Sequence, residues 1–157
     1  MIRQATSQDA GAVAEIWNHY IEHTVVTFNS AVKPVDEVAE LIATRDAFLV
    51  AEVDGEVAGF ATWAQFRGGV GYRYTIENTV LLRPGSEGRG LGRQLMEALC
   101  DIARDRGHHS MWAGVSGENP DGVTFHARLS FGEVARLREV GHKFGRWMDL
   151  ILMQRML

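Results

Sequence analysis

The chain has 157 residues, of which 46% are hydrophobic, and this length suits one globular domain over residues 1–157 with a sizeable core. Its formal net charge of −4 and its scattered basic residues argue against nucleic-acid binding, and no apolar run is long enough to cross a membrane. Cys100 is the only cysteine, so we expect no intramolecular disulfide, no cysteine-based metal site and a cytoplasmic location.

The first half of the chain alternates between strand and helix patterns. Ile2 to Ala5 is a predicted short strand, and Thr6-Ser7-Gln8-Asp9 is typical of a helix start because its polar side chains cap free backbone N–H groups. Four apolar residues at helical spacing define one face of the first helix: Val13, Ile16, Trp17 and Tyr20. The other predicted elements are an irregular connection over 24–29, a helix from Val35 to Ala43, and a β-hairpin with strands Phe48 to Val53 and Val57 to Ala64 around Asp54-Gly55.

The second half begins with a strand that ends at Leu82, followed by a long helix in which Leu95, Leu99 and Ile102 recur at helical spacing. The remaining predicted elements are a strand from Ser110 to Val115, a short helix from Glu118 to near Leu129, and two strands, Phe131 to Val140 and Trp147 to Met153, joined by Gly141–Gly145. This order predicts a mixed α/β sheet with helices on both faces.

The glycines at the start of the long helix predict an anion site. Gly88, Gly90 and Gly92 lie where the loop enters the helix, so the backbone there is able to approach a ligand closely. The first N–H groups of a helix have no internal acceptor and carry the positive end of its dipole, which favours a phosphate. The P-loop and Rossmann spacings both fail, because Arg93 stands where the first needs lysine and the second needs glycine.

Glu87-Gly88-Arg89-Gly90-Leu91-Gly92 resembles the Gln/Arg-x-x-Gly-x-Gly/Ala signature of the GNAT acetyltransferases, whose main-chain amides hold the pyrophosphate of acetyl-CoA. The resemblance implies a GNAT-type mixed, largely antiparallel central sheet with helices on both faces, acetyl-CoA as co-substrate, and no metal. Glu87 departs from the signature, and we expect it to point to solvent or to weaken coenzyme binding. The coenzyme-binding residues that the resemblance implies here are Val80, Leu81, Leu82, Glu87, Gly88, Arg89, Gly90, Leu91, Gly92 and Arg93.

Glu77 is the candidate general base. Acetyl transfer to an amine requires the amine to lose a proton, and Glu77 lies within the apolar strand that leads to the glycine-rich loop. A polar side chain there is costly unless it is used or paired. Alternation along the strand leaves a second interpretation open, in which Glu77 simply faces solvent.

The segment from Asn119 to Phe131 resembles the GNAT pattern Asn-x-x-Ser-x-x-Leu-Tyr/His-x-x-x-Gly-Phe. In that pattern the asparagine contacts the pantetheine arm and the aromatic residue often acts as general acid, which implies these roles for Asn119 and His126. Gly122 and Ser130 depart from it, since the pattern has serine and glycine there. A histidine bonded only to backbone at the edge of the core is the alternative interpretation of His126.

Three segments together look like the phosphinothricin/methionine sulfoximine N-acetyltransferase branch: Phe28-Asn29, Arg73 with Glu77–Val80, and Gly141–Leu150. The resemblance implies acetylation of the α-amino group of a small amino-acid analogue by a homodimer. Glu77 would act as base through a water molecule and His126 would assist as base or acid. Arg73 and Lys143 would bind the substrate's oxygens, and we expect Lys143 at the tip of the final hairpin. Phe28 would form a wall of the pocket.

Two alternatives remain open. One is an acetyltransferase of the same fold that acts on a peptide N-terminus, a polyamine or an aminoglycoside. The other is a coenzyme A-binding regulatory module without turnover, which the departures at Glu87, Gly122 and Ser130 would suit. Retention of both Glu77 and His126 favours an enzyme over the regulatory module.

Overall fold

The computed structural model describes all residues, Met1–Leu157. The strands are β1 (Ile2–Gln4), β2 (Phe48–Val53), β3 (Glu56–Gln65), β4 (Thr75–Leu82), β5 (Ser110–Ser116), β6 (Gly132–Lys143) and β7 (Arg146–Met156). The α-helices are α1 (Ala10–His23), α2 (Val35–Thr44), α3 (Leu91–Asp105) and α4 (Pro120–Ala127). None of these helices is both long enough and apolar enough to span a bilayer.

The strands form one sheet in the order β1-β2-β3-β4-β5-β7-β6, in which only β4 and β5 are parallel neighbours. This confirms the predicted mixed, largely antiparallel sheet. The β4–β5 pairing is short, because only Thr75–Glu77 and Ser110–Trp112 are in register. Beyond them β4 continues to Leu82 and β5 to Ser116 without pairing with each other. The sheet therefore has an opening between its two central strands.

Hydrophobic clusters cover both faces of the sheet. One cluster joins α1 and α2 to the sheet, and the other joins α3 to it. Along β4, Leu81 belongs to the α1–α2 cluster and Ile76 to the α3 cluster. Successive strand residues point to opposite faces, so Glu77 shares the α1–α2 face with Leu81, while Asn78 shares the α3 face with Ile76.

The final hairpin differs from the prediction, which placed a five-residue connection over Gly141–Gly145. Both strands extend further, and Phe144 and Gly145 alone form the turn, with φ of 54° and 74°. Positive φ at both positions is the geometry of a two-residue turn that matches strand twist. Gly141 pairs with Met148 inside the hairpin, and Lys143 is the last residue of β6 rather than a residue of the tip.

Ser130 follows α4 with a φ of 68°, in the left-handed region that favours glycine. The GNAT pattern has glycine at this position. The departure noted in the sequence therefore retains a glycine-like conformation, at a cost of about 1 kcal/mol for a residue with a side chain.

Candidate functional site

A cavity of about 620 Å³ lies at the opening between β4 and β5. Residues from both strands line it, together with parts of the α1–α2 connection, α3 and α4. Because the opening passes through the sheet, side chains from both faces reach the same cavity. The predicted site residues that line it are Phe28, Glu77, Val80, Leu81, Leu82, Glu87, Gly92, Asn119 and His126.

Glu77 lies at the last paired position of β4, opposite Trp112 of β5, and its carboxylate reaches toward Gly114. Its Oε2 atom is 3.1 Å from the position that a Cβ on Gly114 would occupy, so glycine at 114 leaves room for the carboxylate. Burial raises the pKa of Glu77, and no charged partner in the protein offsets this effect. The side chain therefore holds a proton more readily than an ordinary glutamate, which suits proton exchange near neutral pH.

His126 approaches the cavity from α4, on the opposite face of the sheet. Its Nδ1 atom is 2.8 Å from the carbonyl oxygen of Gly122, and its Nε2 atom is 3.3 Å from Oδ1 of Asn78. The Asn78 amide is oriented by donating from Nδ2 to the carbonyl of Trp112 at 3.1 Å. Both ring nitrogens of His126 thus face acceptors, and only the protonated ring donates to both.

Burial lowers the pKa of His126, while the Gly122 carbonyl opposes this shift by accepting from the ring. The residue is 7% exposed. A lowered pKa makes the protonated ring a stronger acid than a free histidine. The cavity therefore has a carboxylate on the α1–α2 face and a buried imidazole on the α3–α4 face.

The glycine-rich loop has backbone conformations that favour glycine. Gly85, Gly88 and Gly90 have φ of 92°, 81° and 76°, and Gly90 is the N-cap of α3. Gly92 has a different constraint, because a Cβ there would lie 2.9 Å from the ring of Phe125 in α4. The loop thus presents the free N–H groups of α3 beside the cavity, and Gly92 allows α4 to pack closely.

Glu87 turns back onto this loop. Its carboxylate accepts a hydrogen bond from the backbone N–H of Gly85 at 2.8 Å, and the residue also lines the cavity. Glu87 is exposed, as expected, but its carboxylate is hydrogen-bonded to the loop and does not point away into solvent. Leu91 is buried, and Arg89 and Arg93 are exposed at the start of α3.

Asn119 is the N-cap of α4 and accepts a hydrogen bond from the Gly122 N–H at 3.1 Å. A Cβ on Gly122 would lie 2.5 Å from Nδ2 of Asn119 and 2.9 Å from a methyl group of Val115. Glycine at 122, where the GNAT pattern has serine, is therefore matched to this orientation of Asn119. The asparagine lies on the same side of the sheet as His126, in the same helix.

Lys143 does not line the cavity. The residue is 3% exposed, and its ammonium group donates to the carbonyls of Tyr20, Thr24 and Thr27 at 3.4, 2.6 and 2.9 Å. Burial lowers the pKa of Lys143. These contacts hold the start of the α1–α2 connection against β6, so the structure gives this lysine a positioning contact and leaves it no free donor for a substrate.

Phe28 is fixed by the same hairpin. A Cβ on Gly141 of β6 would lie 2.4 Å from the Phe28 ring, which shows how closely the ring covers this glycine. Phe28 and Asn29 line the cavity from the α1–α2 connection. The predicted wall residue is therefore at the cavity, and β6 supports it from behind.

Arg73 is also outside the cavity. It is exposed in the glycine-rich segment before β4, where it donates to the Val70 carbonyl at 3.1 Å and lies 4.6 Å from the Tyr74 ring centroid. It lines a separate cavity of about 280 Å³ with Trp63 and His108. Within one chain, neither predicted oxygen-binding cation reaches the site of Glu77.

Lys33 is a cavity residue that sequence reasoning missed. It is the only lysine or arginine that lines the large cavity. Its position before Pro34 at the start of α2 gave a weak signal, because proline marks the helix start and thus a fixed loop end. Its approach to the cavity depends on contacts with α1, which lies distant in sequence. Elsewhere, no group of three or more His, Cys, Asp or Glu side chains is placed to hold a metal ion.

Comparison with known proteins gives a consistent family. Residues 13–131 match the model of the acetyltransferase (GNAT) family. The chain is 38% identical over 157 residues to an L-methionine sulfoximine/L-methionine sulfone acetyltransferase of Salmonella typhimurium, an alignment that covers 98% of this chain and 92% of the relative.

Two solved structures match the fold closely. A ribosomal-protein-alanine N-acetyltransferase from Brucella melitensis superposes with a TM-score of 0.97 at 34% identity, covering 100% of this chain and 99% of that one. A phosphinothricin acetyltransferase from Sinorhizobium meliloti, in complex with acetyl-CoA, superposes with a TM-score of 0.95 at 28% identity, covering 100% and 88%.

Lys143→Met should lower the free energy of unfolding by about 3 kcal/mol, because it removes charge-assisted hydrogen bonds and leaves buried carbonyls without a donor. Urea denaturation would measure the change. Arg104→Met is the control, since Arg104 forms only an exposed pair with Asp101 and its loss should cost under about 1 kcal/mol. Equal stability of Lys143→Met and the wild type would contradict the positioning contact.

Proposed function

The chain belongs to the acetyltransferase (GNAT) family, and we propose that it transfers the acetyl group of acetyl-CoA to the α-amino group of a small amino-acid analogue. Methionine sulfone, methionine sulfoximine and phosphinothricin are the proposed acceptors, in line with the names of its relatives. The observation that carries the proposal is the opening between β4 and β5, with Glu77 on one face and His126 on the other.

The proposed coenzyme site lies on the α3–α4 side of this opening. The pyrophosphate would accept hydrogen bonds from the amides of Gly88–Gly92, at the positive end of the α3 dipole, with Arg89 and Arg93 nearby. Residues 80–82 of β4 have no β5 partner, and although the Leu82 carbonyl accepts from the Tyr20 hydroxyl at 2.6 Å, the rest of this strand edge is available to the pantetheine arm. Asn119 would contact the same arm from the start of α4.

The proposed reaction uses the two faces in sequence. Glu77 takes a proton from the acceptor's ammonium group through a water molecule, and the neutral amine attacks the thioester carbonyl. The attack forms the C–N bond, and as the tetrahedral intermediate collapses the C–S bond breaks and the nitrogen loses its second proton to the same water molecule. We assign His126 as the donor of a proton to the departing thiolate. It lies on the coenzyme side of the sheet, and because burial lowers its pKa, its protonated form is a stronger acid than that of a free histidine.

A thiol-release assay with acetyl-CoA tests the proposal directly. Methionine sulfone and phosphinothricin should give saturable rates. Acetylation of a peptide N-terminus is a second candidate, favoured by the similarity to the enzyme from Brucella melitensis. A higher kcat/KM for a short peptide beginning with alanine than for either amino acid would select this second function.

Gly90→Val should weaken acetyl-CoA binding, because a branched side chain is strained at a φ of 76° and distorts the start of α3. Calorimetry would show the change as a higher Kd. Gly107→Val is the matched control, since Gly107 has a φ of 83° just beyond the other end of α3 and faces open space. Gly107→Val should lower the stability of the protein and leave the Kd for acetyl-CoA unchanged. Equal Kd values for the two variants would contradict a role of the glycine-rich loop in binding the coenzyme.

Glu77→Gln should lower kcat by ~10²–10⁴-fold with little change in the KM for acetyl-CoA, because it removes a proton acceptor and keeps the shape. In the wild type the rate should rise with pH as Glu77 loses its proton, and the raised pKa places this rise above the range of an ordinary glutamate. The exposed Glu56→Gln is the control and should keep both the rate and the profile. An unchanged acidic limb in Glu77→Gln would exclude Glu77 as the base.

We also propose that the enzyme is a homodimer formed through β6. This strand is at the edge of the sheet, so one side of its backbone lacks a partner strand, and it exposes Val134, Leu137 and Val140. Trp147 of β7, which pairs with His142 of β6, is 61% exposed. An edge strand with several exposed apolar side chains suits a second copy of the same surface.

Sedimentation velocity should give the mass of two chains for the wild type and of one chain for Val140→Asp, because a charge would be buried in the interface. Val35→Asp is the control, since Val35 is 50% exposed and Val140 is 53% exposed, but Val35 lies on α2. A monomeric wild type, or a dimer that persists in Val140→Asp, would contradict an interface at β6.

A further inference from the structure

We infer that Lys33 binds an anionic oxygen group of the acceptor, which is either its α-carboxylate or the oxygens at the end of its side chain. This inference rests on the proposed function and adds to it the residue that selects acidic acceptors. Lys33 would have the oxygen-binding role that was predicted for Lys143 and Arg73, neither of which lines the cavity.

The charges around the cavity make Lys33 distinctive. The carboxylates that line the cavity are those of Glu77, Glu87 and Asp121, and Lys33 is the only lysine or arginine among the lining residues. These carboxylates repel a negative group on the acceptor. Lys33 is the one lysine or arginine in the cavity lining that attracts such a group.

The position of Lys33 is fixed before any ligand arrives. The side chain of Asn18 in α1 holds its backbone in both directions, accepting from the Lys33 N–H at 2.8 Å and donating to the Lys33 carbonyl at 2.9 Å. Its Nζ atom lies 4.8 Å from the centroid of the Trp17 ring. Ordering a lysine side chain ordinarily costs binding energy, and these contacts reduce that cost.

The ammonium group of Lys33 remains available to a ligand. It forms no salt bridge in this chain. Lys143 differs sharply, because its ammonium group is surrounded by three backbone carbonyls. A cation that lines a cavity without a carboxylate partner is the expected arrangement for binding an anion.

Lys33 also lies on the acceptor's side of the sheet. Trp17, which holds the ammonium group, packs on Phe60 with ring centroids 5.0 Å apart and belongs to the α1–α2 cluster. Glu77 faces the same side. Both Lys33 and Glu77 line the same cavity.

The test compares Lys33→Met with Arg45→Met in steady-state assays. Arg45 is the matched control because its guanidinium also lies against Trp17, 5.9 Å from the ring centroid, but the residue does not line the large cavity. Lys33→Met should raise the KM for methionine sulfone roughly 10- to 150-fold, as expected for one lost charge-assisted hydrogen bond, and leave the KM for acetyl-CoA within about twofold. Lys33→Arg should recover part of the loss, and Arg45→Met should match the wild type.

Modified acceptors identify the group that Lys33 binds. If it binds the α-carboxylate, the α-carboxamide of methionine sulfone should have the same KM with wild type and Lys33→Met. If it binds the side-chain oxygens, Lys33→Met should raise the KM for the carboxamide as much as the KM for the parent acid. The KM for phosphinothricin, which has a charged phosphinate, should then rise more.

An unchanged KM for every acceptor in Lys33→Met, or a rise confined to acetyl-CoA, would overturn the inference, the second result by moving Lys33 to the coenzyme site. Wild-type enzyme that turns over none of these amino acids would instead contradict the proposed function and the inference with it. The two failures are therefore distinct in the same assay.

Discussion

The site depends on the separation of β4 from β5 beyond Glu77 and Trp112. The strands β4 and β5 are the only parallel neighbours in the sheet, and their short pairing leaves backbone and side chains of both strands facing a shared opening. Because strand residues alternate between faces, adjacent Glu77 and Asn78 present different chemistry on the two sides of one strand. A continuous β4–β5 ladder would close the opening and separate the carboxylate from the imidazole.

The elements around the opening are held by contacts distant in sequence. Lys143 of β6 anchors the α1–α2 connection through three carbonyls, and Gly141 accommodates the Phe28 ring. Asn18 fixes the other end of that connection at Lys33. The cavity wall on the α1–α2 face is therefore rigidly supported, although it contains little regular secondary structure. Such support favours catalysis because a preformed site loses less entropy when the substrate binds.

Local patterns in the sequence were enough to predict the strands, the helices and the glycine-rich loop, since periodicity and the positions of glycine act over a few residues. The strand that carries Glu77 was predictable for the same reason. The environment of Lys143 was not predictable from the sequence, because the glycines on both sides of it are typical of a loop. In the structure the hairpin is longer, its turn has only two residues, and Lys143 lies within a strand. Burial of its ammonium group requires carbonyls from α1 and the following connection.

Lys33 and Arg73 illustrate the same limit. A cation's value to a site depends on what surrounds it, and neither spacing nor composition reports that. Arg73 precedes Glu77 by four residues, yet it contacts Val70 and Tyr74 outside the large cavity. Lys33 is distant from Glu77 in sequence, and only the packing of α1 against the sheet brings it to the cavity that Glu77 lines.

We propose that coenzyme and acceptor meet through the opening between β4 and β5. A conjugate in which an acetyl group links the sulfur of coenzyme A to the amino nitrogen of methionine sulfone would occupy both sides at once, and calorimetry would compare it with coenzyme A alone. The conjugate should bind at least ~10²-fold more tightly than coenzyme A, as expected for a mimic of the joined reactants. A conjugate that binds no more tightly than coenzyme A would contradict it.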